Sequence, residues 1–485
     1  MNNSSFVSNL VAPLSEHIII PVTVSVISAV IVLYFFQEKN ETKKIKNKVK
    51  SAISQAEFYY FSYQFNKAIS ECENVTGEIK HKKYSYEHIK IQGVLGSSYM
   101  ALASFENMEV NTKNAIYAFK EILNAIDLSK DSETYAKALN DIGNAYQVLA
   151  DIRDAEDNIN NAIYFYENSL KFRTFEKNPF DHAETMHNLG TVYLKLAEFR
   201  DSIVNLEKAI NAFNKTLNII DIKSHPILYG KAQNKIGEAY YHWGQFQGNS
   251  EYVEKSIKAL NEALKIRKIE TSPIDYAKTQ VNLCNAYGFL AEIITKLKNE
   301  SLKQSLYHGM EALKIYTIEN YPLDYATVQI DLSATYCQLA ECDNPKINII
   351  NSIACSQEAL KIYSVLTHPL DYAMIQHNIG SAYIFLSNLE DKEKNTKNAI
   401  NAFNESLKIR TLEKYPIKYA NTQNNIGHLY YTLFEETDSS EYLGKTIEAF
   451  EEALKVYTEE EYPIPHSGIS MNLLQIANLI ENRLK

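Results

Sequence analysis

The segment Leu443-Gly444-Lys445-Thr446 has the residue types that end a phosphate-cradling loop. In such a loop glycine lets the backbone close on the phosphates, lysine neutralises them and a hydroxyl holds the metal. The loop also needs a glycine at position 439, where this chain has Ser439, and a preceding strand, whereas this segment falls at the start of a helical stripe. Cys337 and Cys342 form a C-x4-C with no companion Cys or His pair at zinc spacing. With Cys72, Cys284 and Cys355 they make an odd, irregularly spaced set, read as reduced thiols of a cytosolic compartment. The 12 His form no H-E-x-x-H, and no Gly-x-Ser-x-Gly elbow occurs. Asp275, Asp324 and Asp371 recur at equivalent helix starts, where a carboxylate complements the helix dipole instead of sharing a proton with a partner. No catalytic residue, cofactor site or metal ligand is assigned, and no enzyme activity is expected.

The elements that would carry any site come next. A chain of 485 residues exceeds one ordinary core. Its 15 Gly and 11 Pro are too few for a collagen-like or disordered chain, and 45% apolar content permits burial. The formal net charge is −10, and only residues 37–50, with six Lys and two Glu, are basic. An acidic body excludes a broad nucleic-acid footprint, so no nucleic-acid partner is expected.

Residues 18–36 read IIIPVTVSVISAVIVLYFF, without a charge. At about 1.5 Å rise per residue this run matches the thickness of a bilayer core. No Lys or Arg precedes it, while Lys39, Lys43, Lys44, Lys46, Lys48 and Lys50 follow, a pattern of an uncleaved anchor rather than a signal peptide. The expectation is a single-pass membrane protein with residues 1–17 outside, a transmembrane helix at 18–36, a Lys-rich juxtamembrane segment at 37–50, and a cytoplasmic remainder.

That remainder repeats itself. Proline recurs at 179, 226, 273, 322, 369, 416 and 463, in steps of 47 residues with one step of 49. A small residue recurs at Gly96, Gly143, Gly190, Gly237, Cys284, Ser333, Gly380 and Gly427, with a tyrosine three residues beyond each, from Tyr99 to Tyr430. Met186, Leu189, Tyr193, Leu196 and Ala197 lie on one helix face, and Ile210, Phe213 and Leu217 make a second stripe. Proline suits a helix entrance. Glycine inside a helix costs about 1 kcal/mol relative to alanine, so its recurrence implies two helices in close approach. One hairpin cannot bury both faces, so the units must stack.

Asn188-Leu189-Gly190…Tyr193 with Ala209…Phe213, and Asn378-Ile379-Gly380…Tyr383 with Ala399…Phe403, resemble the tetratricopeptide repeat motif. The resemblance recurs in register over about residues 50 to 485; the unit is longer than the family's usual period of about 34 residues. It implies an all-α fold, an α-solenoid of stacked helix hairpins, here preceded by the transmembrane helix. A standard-length unit is placed at 51–83, eight long units at 84–462 and a capping helix at 463–485. The family's ligand-facing positions on the first helix map to His187, Lys195, Asn234, Glu238, Tyr241, His242, Asn285, His377, Asn424, His428 and Tyr431. Amide, imidazole and phenol groups suit a peptide-binding surface.

The expected function is a membrane-anchored scaffold that binds a partner protein or peptide at the cytoplasmic face. The alternative is an accessory receptor or co-chaperone of a translocation or secretion machinery. No cofactor is expected.

Overall fold

The computed structural model describes residues 20–77, 79 and 85–484, with the side chains of helical residues 20–32, 85 and 484 left aside. Among the described residues the chain forms 19 α-helices, one 3-10 turn and no strand. It divides into two compact units that meet in sequence between Ile219 and Ile220. The first contains α1 (Ile20–Phe61), α2 (Phe65–Thr76), α3 (Ser85–Ala103), α4 (Met108–Ala125), α5 (Ser132–Ala150), α6 (Ala155–Leu170), α7 (Pro179–Leu196) and α8 (Ser202–Ile219). The second contains α9 (Pro226–Gln247), α10 (Ser250–Ala263), α11 (Pro273–Ile293), α12 (Lys298–Leu313), α13 (Pro322–Leu339), α14 (Pro345–Ala359), α15 (Pro369–Ser387), α16 (Lys392–Leu407), α17 (Pro416–Thr437), α18 (Ser440–Leu454) and α19 (Pro463–Leu484). From α3 onward each odd-numbered helix packs most extensively on the helix that follows it, giving hairpins that stack within each unit.

Local chemistry sets the helix boundaries. Proline opens α7, α9, α11, α13, α15 and α17, where its missing N–H forfeits no helix bond. Within the hairpins, Asn107, Asp154, Asp201, Asn344 and Asp391 turn the chain with φ between 40° and 46°, a region short polar side chains tolerate. Four residues beyond each, the amide of Asn111, Asn158, Asn205, Asn348 or Asn395 donates to a turn carbonyl at 2.5–2.8 Å. The α11–α12 hairpin departs from this pattern and carries the 3-10 turn Thr295–Leu297.

The recurrent small residue is where paired helices touch. A Cβ built on Gly96, Gly143, Gly190, Gly380 or Gly427 would lie 2.5–2.8 Å from the ring of Phe119, Tyr166, Phe213, Phe403 or Phe450 respectively. In α11 the arrangement inverts: Cys284 carries the side chain, its partner position is Gly309, and Cys284 Sγ lies 3.3 Å from a Cβ built there. In α13 two small polar residues share the space, with Ser333 Oγ 2.7 Å from Ser356 Oγ. In these five hairpins the glycine of a first helix answers a ring on the second, while Gly237 answers Leu260 at 2.7 Å, and the fully buried Phe213, Phe403 and Phe450 recover about 1.5–3 kcal/mol each against the helix cost of the glycine.

A second device ties the hairpins at their polar edge. Tyr276, Tyr325, Tyr372 and Tyr419 donate to Glu311, Glu358, Glu405 and Glu452 at 2.7–2.9 Å. Each glutamate also pairs with the lysine three residues on, from Lys314 to Lys455.

The membrane assignment is corrected. Residues 1–19 lie outside the described residues, so the external N-terminus and the first two positions of the expected span are not seen. The remainder of that span belongs to a 42-residue helix that runs unbroken through the Lys-rich stretch to Phe61. The end of that helix is part of the first core: Val49, Ala52, Ile53 and Ala56 are buried against Phe65, Ile69, Ile91 and Leu95. Among the described residues no helix is long and apolar enough to cross a membrane. The single-pass topology, with its cytoplasmic placement of the repeats, is therefore not supported.

Candidate functional site

In the second unit, the first-helix position four residues beyond the recurrent small residue is Tyr241, Gly288, Cys337, Ile384 and Tyr431 in turn. At Gly288 the nearest atom to a built Cβ is Ser305 Oγ at 3.5 Å, an ordinary contact distance. This glycine makes room instead of permitting close approach. Its neighbour across the hairpin is the inverted Cys284–Gly309 pair, which brings no ring. The result is an open-sided cavity of about 160 Å³ across α9, α11 and α13, lined among others by Tyr241, Asn285, Glu292, Asp331 and Gln338.

The floor is hydrogen-bonded. Ser305 donates to the Cys284 carbonyl at 2.9 Å, its Oγ lies 3.1 Å from Thr335 Oγ1, and Thr335 donates to the Asp331 carbonyl at 2.9 Å. The walls are not fully satisfied. Gln338 donates through Nε2 to Glu292 at 2.8 Å, but its Oε1 is buried with no protein donor, and so is Asp331 Oδ2. Burial pushes the Asp331 carboxyl up to about 6. Burial likewise pushes the Tyr241 phenol up to about 12, with Asp331, Glu292 and Cys284 adding to the rise. None of the lining residues is Lys, Arg or His.

A different cavity, of about 360 Å³, lies in the first unit beside Tyr86, Val94 and Phe119. Its carboxylates Glu57, Asp131 and Asp141 face Lys90 and Lys137. Burial raises Asp141 to about 6, and Lys137 and Arg173 pull it back down. That acidic charge is countered locally, unlike the charge at Asp331.

The residues expected to face a ligand are dispersed by the structure. Asn234 is buried and accepts from Thr279 Oγ1 at 2.9 Å and Asn282 Nδ2 at 3.3 Å, so it serves packing. His377 Nδ1 lies 3.4 Å from Thr422 Oγ1, and burial, reinforced by Arg410, pushes its imidazole down to about 4. His187 is buried with its ring 5.5 Å from that of Phe213. Lys195 pairs with Asp151, and Glu238 with Lys235 at 2.9 Å. His242 adjoins Tyr241 with ring centroids 5.3 Å apart, His428 lies edge-on to Phe450 at 5.1 Å, and Tyr431 rests 6.0 Å from Phe434. Asn424 keeps a buried Oδ1 with no protein donor. Of the set, Tyr241 and Asn285 meet at this cavity.

Asp331, Glu292 and Gln338 are the residues sequence reasoning missed. A signal existed for the first. Asn188, Asn282, Asn378 and Asn425 occupy its register, two residues before the small residue, and a carboxylate replaces the amide at Asp141 and Asp331. In that register Asn188 donates to Asn144 at 3.1 Å, a bond an ionised aspartate cannot make.

A search of curated proteins finds no match. Among solved structures, the chain is similar to the C-terminal part of a TPR repeat-containing protein from Cytophaga hutchinsonii, at 12% identity and TM-score 0.37, over 64% of this chain and 95% of that one. It is similar to a signal transduction ATPase with a tetratricopeptide repeat sensor from Pyrococcus horikoshii, at 16% identity and TM-score 0.46, over 81% of this chain and 55% of that one. It is also similar to human IFIT1 solved with m7Gppp-AAAA, at 13% identity and TM-score 0.40, over 87% of this chain and 88% of that one. Residues 182–227 match the family described as tetratricopeptide repeat. That match, on a hairpin whose glycine-to-ring contact recurs in both units, supports placing the chain among tetratricopeptide repeat proteins.

Proposed function

We propose that the chain is an interaction scaffold whose second unit binds a partner protein or peptide on its first-helix side. The observation that carries this reading is the cavity to which α9, α11 and α13 each contribute polar side chains. Three successive elements converging on one opening suit an extended ligand that runs across the hairpins, with backbone groups meeting amides such as Asn285 and side chains meeting Tyr241 and Phe289. Burial pushes the Cys284 thiol up to about 12, far from the thiolate form that reacts.

The test is a photo-crosslinking amino acid placed in the full chain, at Asn285 in one variant and at the exposed second-helix residue Tyr307 in another. The expected result is a discrete adduct from cell lysate through position 285 and none through 307. Equal labelling from both positions, or none from either, counts against the reading.

A further inference from the structure

We propose that the cavity between α9, α11 and α13 takes a guanidinium group, the side chain of an arginine on the bound partner. The inference deepens the peptide-binding reading and rests on it. Two buried acceptors there, Asp331 Oδ2 and Gln338 Oε1, have no protein donor. A third acceptor group, the Glu292 carboxylate, lines the same space, and no basic residue does. What the site lacks is therefore donors and positive charge, and a ligand that supplies both satisfies it.

Size narrows the choice. A volume of about 160 Å³ falls well below the roughly 300 Å³ at which pockets hold drug-sized molecules, so a side-chain-sized group fits. Shape and hydration narrow it further. Tyr241 and Phe289 present aromatic surface, their ring centroids 6.2 Å apart and edge-on. A flat, weakly hydrated guanidinium stacks on such rings and offers five donors to acceptors spread around it. A compact, strongly hydrated ammonium does this less well. The site is also built at a cost the fold need not bear. Asn stands at the Asp331 register in four other units, and burial disfavours the ionised carboxylate. A partner cation restores what burial removes.

The experiment titrates Nα-acetyl-arginine amide and Nα-acetyl-citrulline amide into the full chain and reads binding by saturation-transfer NMR. Citrulline keeps the shape and loses the charge. The expected result is at least tenfold tighter binding of the arginine probe, a preference removed by Asp331→Asn and weakened by Gln338→Leu. Glu459→Gln, at an exposed carboxylate in the α18–α19 loop, is expected to leave it unchanged. Thermal melts confirm that each variant is folded. Equal binding of the two probes, or a preference that survives Asp331→Asn, overturns the proposal. The two levels fail separately. Loss of the arginine preference leaves the adduct through position 285 in place, whereas a failed peptide-binding reading removes that adduct even if the arginine probe still titrates.

Discussion

The ring of Phe403 lies across Gly380, and a Cβ built on that glycine would stand 2.7 Å from the ring's Cε1. The two residues are one device split between α15 and α16, and neither can change alone. Gly380→Ala is expected to destabilise the chain by about 1–3 kcal/mol, because the buried ring has no free space to enter. Phe403→Ala is expected to cost about 3–5 kcal/mol through the cavity it leaves. In the double variant the new methyl occupies part of that cavity, so the combined loss is smaller than the sum. Thermal melts of the four proteins in one cycle measure the coupling, and strict additivity would falsify the pairing.

A comparable exchange runs through the buried arginines. Arg267 Nη1 donates to Thr279 Oγ1 at 3.1 Å, and Thr279 in turn donates to Asn234 at 2.9 Å. Two further units hold apolar or aromatic residues at the same three places: Val281, Tyr316 and Val328 in one, Ile330, Tyr363 and Ile375 in the next. Thr279→Val alone removes one hydrogen bond from Arg267 and one from Asn234, at about 0.5–1.5 kcal/mol each, while the Asp275 carbonyl and Asn282 still pair with them at 3.3 Å. The triple variant Asn234→Val, Arg267→Tyr, Thr279→Val installs the apolar set and is expected to recover most of that loss. If the triple variant melts below the single one, the sets are not interchangeable.

The scaffold was easier to read in the sequence than the site, for a physical reason. Pro273, Tyr276 and Gly380 each do one job that their counterparts repeat: opening a helix, holding a glutamate, receiving a ring. Repetition makes such jobs visible as spacing. The asparagine ladder from Asn111 to Asn395 was equally legible and would have located every turn it closes. The cavity arises instead from departures at unlike places, Gly288 on a first helix, Gly309 on a second and Asp331 on the next hairpin. A glycine that makes room and a glycine that permits contact are the same letter. The run at 18–36 misled for a related reason: its lack of charge was plain, but its continuation into a helix that packs at Val49 and Ala56 is a tertiary fact.

The buried carboxylate makes a prediction about acidity. Asp331 holds its proton up to about 6 in the folded chain, against an ordinary value of 3.8. Because the folded pKa is raised, the stability tied to this group is complete below the unfolded value and is lost as pH climbs through the folded one. Asp331→Asn has no proton to lose, and Asn already fits this register at Asn282, Asn378 and Asn425. The variant is therefore expected to melt at a higher temperature than the parent above pH 6. Its advantage shrinks between pH 6 and pH 4 and levels off below that. The gain corresponds to on the order of 3 kcal/mol at most, the free-energy equivalent of the pKa displacement. The other titratable groups facing the cavity are Tyr241, Cys284 and Glu292, and all three are the same in both proteins, so the difference between the two melting curves isolates position 331. An advantage that stays constant with pH, or that grows as pH falls, shows that Asp331 is not held in its protonated form by burial.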